Sequence, residues 1–137
     1  MAFNALYTTV RGPGPEHVAV GDAITAYLNP MQASAVLARI DRRHLTALFK
    51  LPPGDMRRGP GHPNFRLDTG REISVFRNPA SSDPARLAAL MKVVYTVRSN
   101  LVHGSKNPSV RRDNNLVSAC IPIMDAVLPA LIRAMRR

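Results

Sequence analysis

Apolar residues recur at helical spacing through most of this chain. Val18, Ala19, Ile24 and Leu28 predict a helix over 16–28, weakened by Gly21. Asn29 is placed to cap the next helix, with Pro30 at its first position. The stripe Val36, Leu37, Ile40, Leu45, Leu48 and Phe49 carries that helix to about Lys50. Asp83-Pro84 opens the strongest helix, whose stripe is Leu87, Leu90, Met91, Val94, Val97 and Leu101, with Gly104 as its stop. Asp113 is placed to cap the last helix, whose stripe is Leu116, Cys120, Met124, Val127, Leu131 and Met135. Pro122 and Pro129 each remove a backbone hydrogen bond there and predict a kink or a split. A short helix over 3–10 ends at Gly12-Pro13-Gly14-Pro15.

The pattern fails over residues 51–82. Pro52, Pro53, Gly54, Gly59, Pro60, Gly61, Pro63, Gly70 and Pro79 predict a long loop, with Ile73-Ser74-Val75 as a brief extended piece. A loop of that length in a compact domain is usually functional or mobile. This one carries Arg57, Arg58, Arg66, Arg71 and Arg77. The expectation is an all-α fold, a bundle of four to five helices with a long Pro/Gly/Arg-rich loop before the strongest helix. At 137 residues the chain fits one domain, 1–137, large enough for a core without disulfide or metal.

Composition changes the picture through charge. Nineteen Lys and Arg face nine Asp and Glu, a formal net charge of +10. That balance argues for a polyanionic partner, nucleic acid before anionic membrane. The lone Cys120 excludes an intramolecular disulfide framework and fits a reducing cytoplasm. No signal peptide is expected, because Arg11 and the Gly-Pro run interrupt the start. The apolar stretch 121–132 holds Asp125 and two prolines, so no membrane span is expected.

Candidate chemistry gathers at the end of the strongest helix, in Arg98-Ser99-Asn100-Leu101-Val102-His103-Gly104-Ser105-Lys106-Asn107. Five positions on a helix differ by roughly 140° in azimuth and about 7.5 Å in rise, so the side chains of Arg98 and His103 can converge on a group beyond the helix end. Arg98 lies between stripe positions Val97 and Leu101, where a charge needs a partner or a purpose. Spacing alone favours a second account: basic residues in a last turn complement the helix dipole, and Gly is an ordinary helix stop. His17, His44 and His62 show no metal-ligand spacing and read as surface or loop residues, so neither metal nor cofactor is expected. Gly54-Asp55-Met56-Arg57-Arg58-Gly59 is followed by Pro60 rather than Lys and makes no phosphate-binding Walker loop. Arg133, Arg136 and Arg137 read as a solvated helix end.

The stretch 95–106, continued by Arg112-Asp113 and Leu116, resembles the signature of the HEPN superfamily, in which Arg is followed after four to six residues by His. The common prokaryotic form reads Val-Arg-Asn-Asn-Leu-Phe-His-Gly, then a small residue and Lys. Phe3-Asn4-Ala5-Leu6-Tyr7 resembles the end of the first helix in some members, which implies that Met1 begins inside an element longer in relatives. The resemblance implies a small helical domain, often a ribonuclease, with Arg98 and His103 as the catalytic pair and Ser99, Asn100 and Lys106 supporting them. Ser99 departs from the usual Asn, Asp or His after the Arg. A subfamily paired with nucleotidyltransferase antitoxins has Tyr two residues after the His, and Ser105 stands there instead.

That chemistry suits the residue types. A histidine titrating near neutrality can serve as acid or base, and an arginine stabilises phosphorane charge without losing its proton. One His per chain is too few for both proton transfers; in the resembled family, dimerisation brings two motifs into one cleft. The expectation is therefore a metal-independent endoribonuclease acting on RNA as a homodimer. A toxin or phage-defence setting, with an antitoxin as partner, comes from the resemblance alone. Arg57, Arg58, Arg66, Arg111 and Arg112 are the candidate nucleic-acid contacts. The alternative is a HEPN-like module that binds RNA or nucleotide, or dimerises, without turnover. A basic helical DNA-binding protein is a third reading, with no recognition-helix motif behind it.

Overall fold

The structure is a computed structural model. It describes residues 16–50, 53–54, 61–102 and 111–136, with the side chains in those ranges save at 16–18, 99–102 and 111–115. The described residues form six α-helices and no strand: α1 (Glu16–Tyr27), α2 (Pro30–Ala38), α3 (Arg42–Phe49), α4 (Leu67–Arg77), α5 (Asp83–Val102) and α6 (Arg111–Met135). The fold is an all-α bundle. The helix expected over 3–10 and the Gly104 stop lie outside the described residues.

Local chemistry explains the helix starts. Asn29 caps α2 as its sequence position predicts. Its Oδ1 accepts from the Gln32 N–H at 2.8 Å, and Gln32 Oε1 accepts from the Asn29 N–H at 3.0 Å, a reciprocal capping box with Pro30 just inside. The single helix expected from 30 to 50 is in fact two. Arg39 and Ile40 close short i→i−3 bonds onto Val36 and Leu37, and Asp41 turns extended and caps α3 through the Arg43 N–H at 2.8 Å. The apolar stripe runs through the break, which is why periodicity concealed it. At the start of α5 the cap is Ser82, whose Oγ accepts from the Ala85 N–H at 3.3 Å, so Asp83 is the first helical residue rather than the cap. Asp113 likewise lies inside α6 and does not cap it. α6 passes Pro122 and Pro129 as one helix rather than splitting.

The loop expected over 51–82 contains α4, which replaces the extended piece at 73–75. Thr69, Ile73 and Phe76 share one face of α4 and are buried. The Phe49 and Phe76 rings meet edge to face at 5.2 Å. Thr69 Oγ1 donates to the Pro53 carbonyl at 2.6 Å and pins the incoming chain to the start of α4. Gly54 lies where a Cβ would run into the Phe65 ring.

α5 is the axis of the bundle. Leu87, Ala88, Ala89, Leu90 and Met91 are consecutive and all buried, as are Val93, Val94, Tyr95 and Val97. A helix apolar on every side must be enclosed. α1 and α4 cover it most extensively, α2 covers a further face, and α6 packs on α3 while also reaching α1, α2 and α5. Leu116–Met135 of α6 is long and apolar enough to cross a membrane by length and composition, a property the sequence reading denied it. Leu116, Ala119, Cys120, Ile123, Val127, Leu128 and Leu131 nonetheless face the core, and Asp125 is exposed.

Two contacts give α4 and α5 an antiparallel register: Arg86 Nε donates to the Phe76 carbonyl at 2.8 Å, and Lys92 Nζ lies 4.0 Å from Glu72. α2 lies between the first turn of α5 (Asp83, Arg86) and the last turns of α6 (Ala130, Arg133, Ala134). α5 and α6 therefore run antiparallel, and the end of α5 shares its end of the bundle with the start of α6.

Leu90 is fully buried, so Leu90→Ala should cost about 2–5 kcal/mol in urea denaturation. No atom lies within 4 Å of a Cβ built on Gly70 in α4, so Gly70→Ala should stabilise by roughly 0.5–1 kcal/mol. A neutral or destabilising result would argue against helix at Gly70.

Candidate functional site

Arg98 lies in the final part of α5, half-buried, with its guanidinium 5.9 Å from the centroid of the buried Tyr95 ring. The positions before it, Val93, Val94, Tyr95 and Val97, are buried. Ser99 and Asn100 follow on the same helix, and Val102 is its last described residue. His103 comes next in the chain and, with Lys106, lies outside the described residues.

The antiparallel register brings a second predicted residue to this end. Going back from Phe76 to Arg66 on α4 covers about the same rise as going forward from Arg86 to Arg98 on α5, roughly 15–18 Å. Arg66 thus stands at the level of Arg98. It precedes the first turn of α4, half-buried, with its guanidinium 5.1 Å over the Phe65 ring. Arg111 and Arg112 open α6 at the same end. Arg57 and Arg58 lie outside the described residues.

A residue the sequence reading passed over lies between α4, α5 and α1. Lys92 is a polar position in the apolar run of α5, and its side chain lies across Gly21 of α1, where a Cβ would come within 2.5 Å of Lys92 Cε. Gly21, read from sequence only as a weak point of its helix, is what lets Lys92 reach Glu72. The signal was present: a lysine among Leu87, Leu90, Met91 and Val94 must leave the core through a gap. Glu72 is half-buried, and its carboxyl is held above the usual range. Burial disfavours the anion more than Lys92 favours it, and Asp68 adds a smaller upward push.

The other candidates are structural. His62 Nδ1 accepts from the Asn64 N–H at 3.0 Å in a turn. Burial pushes the Cys120 thiol up to about 12, so it is no nucleophile at neutral pH. Among the described residues no three His, Cys, Asp or Glu side chains gather as metal ligands. No family model matches the chain, and neither a curated protein nor a solved structure matches it.

Because its folded-state pKa is raised, Glu72 binds its proton more tightly in the folded than in the unfolded chain. That contribution is complete below the ordinary glutamate value and is lost as pH rises through the folded value. The stability of the wild type relative to Glu72→Gln should therefore decline as pH rises above the ordinary glutamate value in urea denaturation. A difference that rises with pH would mean that the Lys92 pair, and not burial, dominates, and a flat one that the two cancel.

Proposed function

We propose that this chain is a metal-independent endoribonuclease of HEPN type, working in the cytoplasm as a homodimer whose two motifs form one active site. The observation that carries the reading is Arg98. It is a half-buried cation near the end of the most enclosed helix, at the end of the bundle where Arg66 and the start of α6 also lie. A cation fixed by packing offers a phosphorane preorganised stabilisation that a solvated arginine does not.

The mechanism follows from the residue types. His103 of one protomer takes the proton of the RNA 2′-hydroxyl, and the 2′-oxygen attacks phosphorus. The bond to the 5′-oxygen breaks, and the same histidine of the second protomer gives that oxygen a proton. Arg98 stabilises the added negative charge on the phosphoryl oxygens. The products are a 2′,3′-cyclic phosphate and a 5′-hydroxyl. A toxin or phage-defence role with an antitoxin partner belongs to the same reading through the family resemblance. Ser99, at a position where Asn, Asp or His is usual, favours the second reading: a HEPN-like module that binds RNA without turnover.

Total RNA incubated with purified protein in EDTA should be cut, leaving 2′,3′-cyclic ends, while a 2′-O-methyl strand should survive. His103→Ala should lower the rate by roughly 10²–10⁴, and Arg98→Ala by on the order of 10² or more. Sedimentation should give a dimer. Undiminished cleavage by His103→Ala would sink the mechanism, and RNA binding without cleavage by the wild type would favour the non-catalytic module.

A further inference from the structure

The opposite end of the bundle, where α5 begins, carries charge that the candidate site leaves unused. Two acids stand there, and each is engaged by its own arginine. Asp41 accepts from Arg43 Nε at 3.1 Å and Nη2 at 2.9 Å, and Asp83 accepts from Arg86 Nη1 at 3.3 Å. Arg39, Arg42, Arg133 and Arg136 remain. All four are exposed, and among the described residues none has a side-chain hydrogen bond or an ion pair.

Arg39 and Arg133 flank one cleft of about 220 Å³ between α2 and the end of α6. Its walls are Leu28, Val36 and Ala130, with Gln32 at its edge, and no carboxylate lines it. Helix-dipole complementation explains one basic residue at the end of each helix. It does not explain why two such residues, from helices far apart in sequence, flank one cleft that no carboxylate lines, where they repel one another until an anion joins them. An arginine fork on either side suits a phosphate, and the apolar wall suits the sugar or base attached to it.

We propose that the Arg39–Arg133 cleft binds a phosphate with its attached nucleoside, as an anchoring site for a phosphodiester strand at the end of the bundle away from Arg98. The cleft does not depend on catalysis, and a chain that binds RNA without cutting it would use it equally.

The test is fluorescence anisotropy with a labelled single-stranded RNA of roughly 12 nucleotides, using a His103→Ala chain so that the strand stays whole. Adding Arg39→Gln and Arg133→Gln should weaken binding tenfold or more. It should also flatten the log–log salt slope by about 0.7, the loss of the one phosphate held in the cleft. Lys50→Gln with Arg71→Gln removes the same charge from exposed positions elsewhere and should change affinity less than threefold. Equal losses in the two pairs would overturn the proposal in favour of a diffuse field, and no loss in the first pair would overturn it outright. Calorimetry with inorganic phosphate and adenosine monophosphate separates the sources. Nucleotide binding that disappears in the Arg39→Gln/Arg133→Gln chain assigns the cleft to free nucleotide, and strand binding alone assigns it to the polymer. A dinucleotide is too short to reach both ends. Its unchanged cleavage by Arg39→Gln/Arg133→Gln separates failure at this cleft from failure of the Arg98–His103 mechanism.

Discussion

Enclosure of α5 is the constraint on which the rest of the bundle depends. Each fully buried Leu, Met or Val side chain along it contributes on the order of 1.5–3 kcal/mol, but only if every side is covered. Four helices share that task, and one of them, α4, forms in a stretch rich in helix breakers. Thr69, Ile73 and Phe76 supply the face that α5 lacks. Tertiary burial thus outweighs the poor local propensity of Gly70 and of the β-branched pair near 73–75.

The same enclosure governs the charged residues of α5. Each must reach solvent or a partner through a particular gap. Arg86 reaches the Phe76 carbonyl and covers that ring at 4.8 Å, Lys92 crosses Gly21 toward Glu72, and Arg98 covers Tyr95. Such charges are held in place by packing more than by their ion pairs, since Lys92–Glu72 at 4.0 Å is at the limit of pairing and Asp83–Arg86 is half-exposed.

The scarce acids set the electrostatic shape. Asp41, Glu72 and Asp83 each meet a nearby cation, and described arginines stand at both ends of the bundle. One end presents Arg66 and Arg98 with the start of α6, and the other presents Arg39, Arg42, Arg133 and Arg136.

The sequence by itself determined what neighbouring residues can settle among themselves. Asn29 with Pro30 and Gln32 starts a helix through bonds spanning three residues, and the stripes of α5 and α6 name most of their core positions. The Arg98–His103 motif was legible as a pattern of residue types, of which the described residues include Arg98 on α5. Tertiary contacts decided the rest. The break at Asp41 was hidden because its apolar stripe continues into the same core. Helix α4 was hidden because its stability lies in α5 and not in its own residues. Pro122 and Pro129 stay helical because Ile123, Val127 and Leu128 are buried around them, which offsets the lost bonds. Which arginines share an end of the molecule was not readable either. The shared level of Arg66 and Arg98, and the shared cleft of Arg39 and Arg133, are set by antiparallel packing of helices far apart in sequence, and no local pattern encodes that register.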